Sequence, residues 1–141
     1  MSTERKLELV RPGDMAGGGS KKDFGKCPVV QGCLQYFPMA LMAVAWVSEY
    51  GFRKYGSWGG WKKVPNGSVR YLNAKGRHFL KEFIEGPYDD GDSALAHAAQ
   101  DAWNALARLE KLLEEGQLEM RMGNEIKDGL PILGTHRVVT P

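Results

Sequence analysis

Apolar residues recur at helical spacing in three separate stretches of the chain. The first stretch begins at Pro38, because proline suits the first turn of a helix, and it continues to Gly51. Its apolar positions are Met39, Met42, Ala43, Trp46 and Val47. This spacing predicts a first helix over residues 38–51.

The second and third stretches predict two further helices joined by a short connection. Ser68 is a suitable N-cap for the second helix, which we expect to end at Gly86. We expect the third helix to begin at Asp92 or Ser93 and to end near Gly116. The apolar positions predicted to be buried are Val69, Leu72, Phe79, Leu80, Phe83 and Ile84 in the second helix and Leu95, Ala98, Ala99, Ala102, Leu106 and Leu109 in the third. The connection between these two helices, Gly86 to Gly91, is short and therefore favours their antiparallel packing.

The segments outside these helices contain residues that interrupt the periodicity. Residues 1–25 are polar and rich in glycine, which predicts a flexible N-terminal arm. Glycine and proline in residues 52–67 predict a loop with one helical turn at most. The β-branched residues of segment 117–141 are separated by glycine and proline and predict a short hairpin or irregular C-terminal arm. The predicted fold class is therefore all-α, with one helical domain over residues 26–116.

Composition narrows the class of protein. A chain of 141 residues with 43% hydrophobic content fits one soluble domain. Its 19 basic and 17 acidic residues are too evenly balanced for a protein that coats nucleic acid, but they allow a small anionic substrate. With no signal-peptide pattern and no bilayer-length apolar run, we expect a cytoplasmic protein without a membrane partner. Cys27 and Cys33 are expected to be free thiols.

Two acidic pairs are the main candidates for chemistry. Glu82 and Glu85 lie in the second predicted helix, and Asp101 and Asn104 lie in the third. Residues three positions apart share one side of a helix, so each pair directs two oxygen-bearing side chains the same way. Carboxylate and amide oxygens suit Mg²⁺ or Mn²⁺, and we expect the four residues to form a catalytic metal site. Acidic pairs are also common on solvated helix surfaces, so either pair alone is weak support.

Two histidines accompany these pairs. His78 lies one turn before Glu82, and His97 lies one turn before Asp101. Either imidazole can therefore hydrogen-bond the carboxylate on its own helix and orient it, unless it is a surface histidine satisfied by solvent. The alternative is a metal site made by both histidines with Asp101, as in HD-type phosphohydrolases.

The loop after the first helix combines aromatic and basic residues. Trp58 and Trp61 offer flat surfaces that can hold a base, while Lys54, Lys63 and Arg77 can neutralise phosphates. The alternative for each tryptophan is that it anchors the loop to the core. The candidate substrate-binding residues are Glu49, Lys54, Tyr55, Trp58, Trp61, Lys63, Arg77 and His78.

Four motifs together carry a family resemblance. They are Gly25-Lys26, Glu49-Tyr50-Gly51-Phe52-Arg53-Lys54-Tyr55-Gly56, Arg70-Tyr71-Leu72-Asn73-Ala74-Lys75-Gly76-Arg77-His78 and His97-Ala98-Ala99-Gln100-Asp101-Ala102-Trp103-Asn104-Ala105-Leu106. Over residues 21–115 the chain resembles the MazG-like all-α nucleoside triphosphate pyrophosphohydrolases, and most closely their phage-encoded MazZ group, which acts on dATP and dGTP. Asp101 and Asn104 stand where the MazG-like pattern has glutamate and aspartate.

The resemblance implies a MazG-like helical bundle completed by oligomerisation as a dimer or tetramer. It implies metal-dependent hydrolysis of dGTP, or of dATP or GTP, to the monophosphate and pyrophosphate. The setting would be phage purine metabolism linked to 2-aminoadenine DNA, in the host cytoplasm. Two alternatives stay open: a noncatalytic helical module that binds a nucleotide or a protein, and an HD-like dNTP triphosphohydrolase.

Overall fold

A computed structural model describes residues 26–140. The predicted arm over residues 1–25 lies outside the described residues. The chain divides into two units after Phe37. In the described part of the first unit, a π-helical turn spans Val30–Leu34. Cys27 and Cys33 are exposed and free, which confirms the prediction for both thiols.

The second unit is mainly helical, in agreement with the predicted class. Its three long helices are α1 (Pro38–Tyr55), α2 (Gly67–Glu85) and α3 (His97–Glu114). A short 3-10 helix, Gly60–Lys63, lies between α1 and α2. Two strands follow α3 and pair antiparallel: β1 (Glu125–Lys127) and β2 (Leu130–Ile132).

The predicted end of the first helix at Gly51 is wrong, because α1 continues for another turn. A glycine inside a helix costs only about 1 kcal/mol relative to alanine, and continued hydrogen bonding offsets that cost. The helix ends at Tyr55, and the next residue, Gly56, adopts a left-handed backbone conformation with φ of 74°. The Gly56 N–H donates to the Phe52 carbonyl at 2.7 Å. Glycine is the residue that takes this conformation most readily.

The predicted start of the third helix at Asp92 or Ser93 is also wrong. The Asp89 carbonyl accepts hydrogen bonds from the Asp92 and Ala94 N–H groups at 3.1 and 2.7 Å. Ser93 Oγ accepts from the Leu95 N–H, which makes a local turn in place of a helix cap. These bonds fold the connection back on itself, so α3 begins at His97.

Cross-helix contacts confirm that α2 and α3 are antiparallel. His78 meets His97, and the Lys75 ammonium lies 3.1 Å from Asp101 Oδ1 nearer the start of α2. Helix α1 joins α3 through Trp103, whose Nε1 donates to Ser48 Oγ at 2.9 Å. The 3-10 helix is held at the same end, where the Tyr71 hydroxyl donates to the Trp61 carbonyl.

The faces predicted to be buried are wrong for the single chain. Among residues 26–140, the only buried hydrophobic side chains are Tyr71 and Ala107. The side of α3 that faces inward carries His97, Gln100, Asn104 and Ala107. This set also recurs at helical spacing, and its polar groups are satisfied by hydrogen bonds, so it competes with the apolar stripe for burial. The predicted apolar positions of α2 are all exposed.

A short hairpin, β1–β2, lies in the segment for which a hairpin or an irregular arm was predicted. Asp128 and Gly129 connect β1 to β2 with φ angles of 53° and 78°. Two consecutive positive φ angles are typical of a type I′ turn, for which Asp-Gly is a favoured sequence. None of the helices within residues 26–140 is long and apolar enough to cross a membrane.

Candidate functional site

A pair of histidines lies where α2 and α3 meet near the end of α2. His78 Nδ1 and His97 Nδ1 are 3.2 Å apart, and the His97 side chain is fully buried. On its other side, His97 Nε2 lies 3.1 Å from Glu85 Oε2. Because a carboxylate oxygen accepts hydrogen bonds, this contact places a hydrogen on His97 Nε2. His97 Nδ1 then faces His78.

The third member of this cluster is Asp89 in the connection between α2 and α3. Asp89 is only 4% exposed, and ligand atoms of His78, Asp89 and His97 all lie within 4.8 Å of one another. The Asp89 carboxylate accepts one hydrogen bond, from Gln100 Nε2 at 3.3 Å, and makes no salt bridge with any described residue. A buried carboxylate is costly unless a cation or several donors compensate its charge.

Burial controls the protonation of His78. Removal from solvent lowers the pKa of His78, and the nearby His97 acts in the same direction, while the Asp89 charge raises it. Burial is the largest of these effects. The ring is therefore neutral near pH 7, since the usual histidine pKa is about 6.5. A neutral imidazole has one nitrogen lone pair available for a hydrogen bond or a metal ion.

The donor set of this cluster fits a divalent metal ion. Two imidazole nitrogens and a carboxylate oxygen are the three protein ligands that many hydrolytic metal sites use. With metal–ligand bonds of about 2.1 Å and tetrahedral geometry, two ligand atoms are separated by roughly 3.4 Å, close to the observed nitrogen separation. Within residues 26–140, no other three His, Cys, Asp or Glu side chains come close enough to hold an ion.

The structure places the four predicted catalytic residues in different surroundings. Glu85 contacts His97, and Glu82 is half-buried one turn earlier on α2. Asp101 lies beside Lys75, although its Oδ1 accepts no hydrogen bond of good geometry. Asn104 is buried and donates from Nδ2 to the Gln100 carbonyl at 2.8 Å. Their role as metal ligands stays a prediction.

The predicted partners of the two histidines are wrong. The sequence allowed either imidazole to contact a carboxylate on its own helix, but the observed contacts cross between helices. The carboxylate that lies within 4.8 Å of ligand atoms of both histidines is Asp89, whereas Asp101 pairs with Lys75. The cause is the antiparallel register, which brings the end of α2 opposite the start of α3.

An aromatic cavity of about 290 Å³ lies on the same helix pair, about two turns along α2 from His78. Trp61, Tyr71 and Trp103 meet edge to face, with ring centroids 5.7–6.1 Å apart. Phe52 and Trp58 stack at 4.6 Å with an angle of 11° between their planes. The lining residues are Ser48, Gly51, Phe52, Tyr55, Ser57, Trp58, Gly60, Trp61, Val64, Tyr71 and Trp103. Its volume lies at the small end of the range for ligand pockets.

The cavity and the histidine cluster share two helices. Tyr71 lines the cavity, and His78 follows it seven residues later on the same side of α2, at a rise of about 10 Å. Lys75 and Asp101 form their ion pair between these two positions. The separation is on the scale of a nucleotide, from its base to its phosphates.

The predicted substrate-binding residues divide into two groups. Tyr55, Trp58 and Trp61 line the cavity. The other five lie elsewhere. Glu49 pairs with Arg53 at 2.8 Å, and the Lys54 ammonium is 5.4 Å from the centre of the Tyr55 ring. His78 belongs to the histidine cluster, and Lys63 and Arg77 are exposed. Substrate binding by these eight residues remains a prediction.

The sequence analysis did not identify Phe52, Tyr71 and Trp103 as cavity residues, or Asp89 as a member of the histidine cluster. The available signal for Tyr71 and Trp103 was their position off the apolar stripes of α2 and α3. Large aromatic side chains on an otherwise polar helix face indicate a second packed surface. For Asp89, turn formation was a sufficient explanation in the sequence.

Comparison with known proteins identifies the family. Residues 16–121 match the family model described as dATP/dGTP diphosphohydrolase, N-terminal. No similar protein of curated function was found. No similar solved structure was found either. The matched region includes α1, α2, α3, the aromatic cavity and the histidine cluster, and it covers more than half of the chain. The chain therefore belongs to the dATP/dGTP diphosphohydrolase N-terminal family.

Proposed function

We propose that this protein is a metal-dependent pyrophosphohydrolase that converts dGTP to dGMP and pyrophosphate. The observation that carries the proposal is the aromatic cavity on the α2–α3 pair, which lies about 10 Å along α2 from His78 and so from the part of the site where Glu85 contacts His97. Membership of a family named for dATP and dGTP supports the choice of a purine deoxynucleotide. The preference for dGTP and a phage setting with 2-aminoadenine DNA follow from the MazZ resemblance.

In this proposal the purine base occupies the aromatic cavity. Trp58 stacks on Phe52 and is itself 59% exposed, so one face of its indole is available to a base. Lys54 and Arg77 are exposed cations on α1 and α2, and Lys63 ends the 3-10 helix. Cations of this kind neutralise the charge that a triphosphate brings.

The carboxylates would bind ions together with the triphosphate, because no three of them bring their ligand atoms close enough to hold an ion without further ligands. Glu82 and Glu85 are one turn apart on α2, and Asp101 and Asn104 are one turn apart on α3. Oxygen ligands of this type suit Mg²⁺ or Mn²⁺. A divalent ion bound there would neutralise phosphate charge and help to activate water for hydrolysis. Glu85 also accepts from His97, which fixes the orientation of its carboxylate.

A substrate panel tests the proposal. The protein is incubated with each of dGTP, dATP, GTP and dCTP in the presence of Mg²⁺ or Mn²⁺, and phosphate is measured with and without added inorganic pyrophosphatase. We expect phosphate from dGTP only when pyrophosphatase is present, and little from dCTP. Phosphate that appears without pyrophosphatase, or no turnover of any purine nucleotide, would contradict the proposal.

Trp58→Ala should weaken substrate binding without unfolding the protein. Loss of a base–aromatic stack costs about 1–3 kcal/mol, which corresponds to an increase in the KM for dGTP of roughly 5- to 150-fold. Trp58→Phe keeps an aromatic face and should retain most of the affinity. Steady-state kinetics of both variants check this. An unchanged KM in Trp58→Ala would remove this residue from the base site.

We also propose that the protein is a homo-oligomer, as a dimer or tetramer. On α2, Phe83 and Ile84 are 74% and 70% exposed, and Phe79 and Leu80 lie on the same side. On α1, Met39 is 84% exposed. Apolar side chains clustered on one face of a helix favour association, because the single chain leaves them in water. A second copy that packs on this face of α2 would complete the core.

Phe83→Glu should convert the oligomer to a smaller species. A charge at the centre of an apolar interface is strongly unfavourable, so we expect a lower molar mass by light scattering after size exclusion. Arg70→Glu is the matched control, because it introduces the same side chain on another side of α2. A monomeric wild-type protein, or an unchanged mass in Phe83→Glu, would argue against this interface.

A further inference from the structure

We propose that His78, Asp89 and His97 form a resident site for a transition-metal ion of the zinc class, occupied without nucleotide. Its three ligands differ from the oxygen ligands assigned above to the ions that accompany the triphosphate, one of which, Glu85, contacts His97. It goes beyond the proposed function, because it requires neither substrate nor turnover. The inference rests on the chemistry of the donors, their orientation and the charge balance of the cluster.

The donor chemistry favours a transition metal over magnesium. Imidazole nitrogen suits zinc, copper, iron and nickel, whereas magnesium and calcium prefer oxygen ligands. Two of the three candidate ligand atoms come from imidazole rings. The His78 and His97 Nδ1 atoms are 3.2 Å apart, close to the separation that tetrahedral coordination requires.

The orientation of His97 is already that of a metal ligand. Ligating histidines usually donate their second ring N–H to a carboxylate or carbonyl, and this bond fixes the tautomer. Glu85 supplies that carboxylate, with Oε2 at 3.1 Å from His97 Nε2. With a hydrogen on Nε2, His97 directs its Nδ1 towards His78, where the ion would lie.

The charge balance of the cluster also favours a cation. Asp89 is a buried carboxylate that accepts a hydrogen bond from Gln100 and forms no salt bridge with any described residue. A divalent ion would compensate Asp89 and join the connection to both helices. It would thereby fix the end of α2, the connection and the start of α3 relative to one another.

Cobalt titration of the full chain tests the site. Cys27 and Cys33 are exposed thiols, so a Cys27→Ser/Cys33→Ser background removes competing ligands. After removal of bound metal with a chelator, Co²⁺ alone is added and visible absorption is followed. We expect saturation at about one ion per chain, displacement by Zn²⁺, and no displacement by a large excess of Mg²⁺.

Substitutions locate the ion. His78→Ala and Asp89→Asn should each weaken Co²⁺ binding by at least about 100-fold, while Glu85→Gln, which alters an orienting contact, should weaken it by about 10- to 100-fold. The matched controls are His136→Ala, the remaining histidine of the chain, and Asp90→Asn, the exposed neighbour of Asp89. Circular dichroism checks that each variant keeps its helices, and the two ligand substitutions lie in different elements, so either can carry the result.

The outcomes separate clearly. Saturable Co²⁺ binding that is lost in both ligand variants and retained in both controls supports the site. Absence of saturable binding would overturn it, and so would Co²⁺ binding that survives both ligand substitutions. Displacement of Co²⁺ by Mg²⁺ as readily as by Zn²⁺ would also overturn it. None of these measurements uses dGTP, so failure of the metal site and failure of the proposed hydrolysis are distinguishable.

Discussion

Glu82→Gln should lower kcat/KM for dGTP by at least about 100-fold at saturating Mg²⁺, because loss of an orienting contact alone costs a metal site 10- to 100-fold and loss of a ligand should cost more. Glutamine has nearly the shape of glutamate but no charge, so it is a poor ligand for a hard divalent ion. Glu82 is half-buried on α2, one turn from Glu85, and the change is expected to leave the helix intact. Steady-state kinetics over a range of Mg²⁺ concentrations measure the effect.

The control for this substitution is Glu110→Gln on α3, which makes the same chemical change at an exposed position. We expect its kcat/KM to match that of the wild type. Full activity of Glu82→Gln would contradict a ligand role for Glu82. A noncatalytic binding module would show no turnover in the wild type or in either variant, which separates that alternative from a misassigned ligand.

Trp103→Ala should lower the free energy of unfolding by about 3 kcal/mol, more than either Trp58→Ala or Ser48→Ala. The indole packs edge to face on Trp61 and Tyr71 and hydrogen-bonds Ser48 on α1. Truncation would leave a cavity where α1, the 3-10 helix, α2 and α3 come together. The value stands at the lower end for a large aromatic residue, because Trp103 is half-buried rather than fully buried.

Urea denaturation followed by circular dichroism measures this loss. Trp58→Ala is the control for removal of an indole, and we expect it to cost less than about 1 kcal/mol, since Trp58 is mostly exposed. Ser48→Ala isolates the hydrogen bond and should cost about 1 kcal/mol. If Trp103→Ala is no more destabilising than Trp58→Ala, the aromatic cluster does not hold these elements together.

The order of the elements could be predicted from the sequence. Apolar periodicity identified three helices, and the short connection after Gly86 indicated an antiparallel pair. The Asp-Gly pair at residues 128 and 129 belongs to the hairpin that was expected in the C-terminal segment. These features depend on local sequence, so they do not require knowledge of how distant residues meet.

The boundaries and the buried faces depended on interactions that local patterns do not contain. Ser93 had the properties of an N-cap, but its hydroxyl accepts from Leu95 within a turn that Asp89 organises. Periodicity also could not indicate which of two faces of α3 is buried. The polar face around His97 and Asn104 is buried because partners on α2 and the connection satisfy it, and this requires the tertiary register.

The same limit applies to the candidate site. Residue types indicated a metal, and the two histidines were recognised as part of it. Their true neighbours depend on the antiparallel register, which brings Glu85 and Asp89 to His97 and pairs Asp101 with Lys75. Spacing along one helix cannot reveal a contact between two helices. Of the residues that line the aromatic cavity, the sequence indicated Tyr55, Trp58 and Trp61 as candidates for substrate binding but not the others.

The most direct test of the proposed function is the identity of the products formed from dGTP. Anion-exchange chromatography, after incubation with the wild-type protein and Mg²⁺ or Mn²⁺, separates every possible product. The proposed reaction predicts dGMP and pyrophosphate in equal amounts. Deoxyguanosine with triphosphate would instead indicate an HD-like triphosphohydrolase, and dGDP with phosphate would place the cleavage at the wrong bond; either result would contradict the proposed reaction.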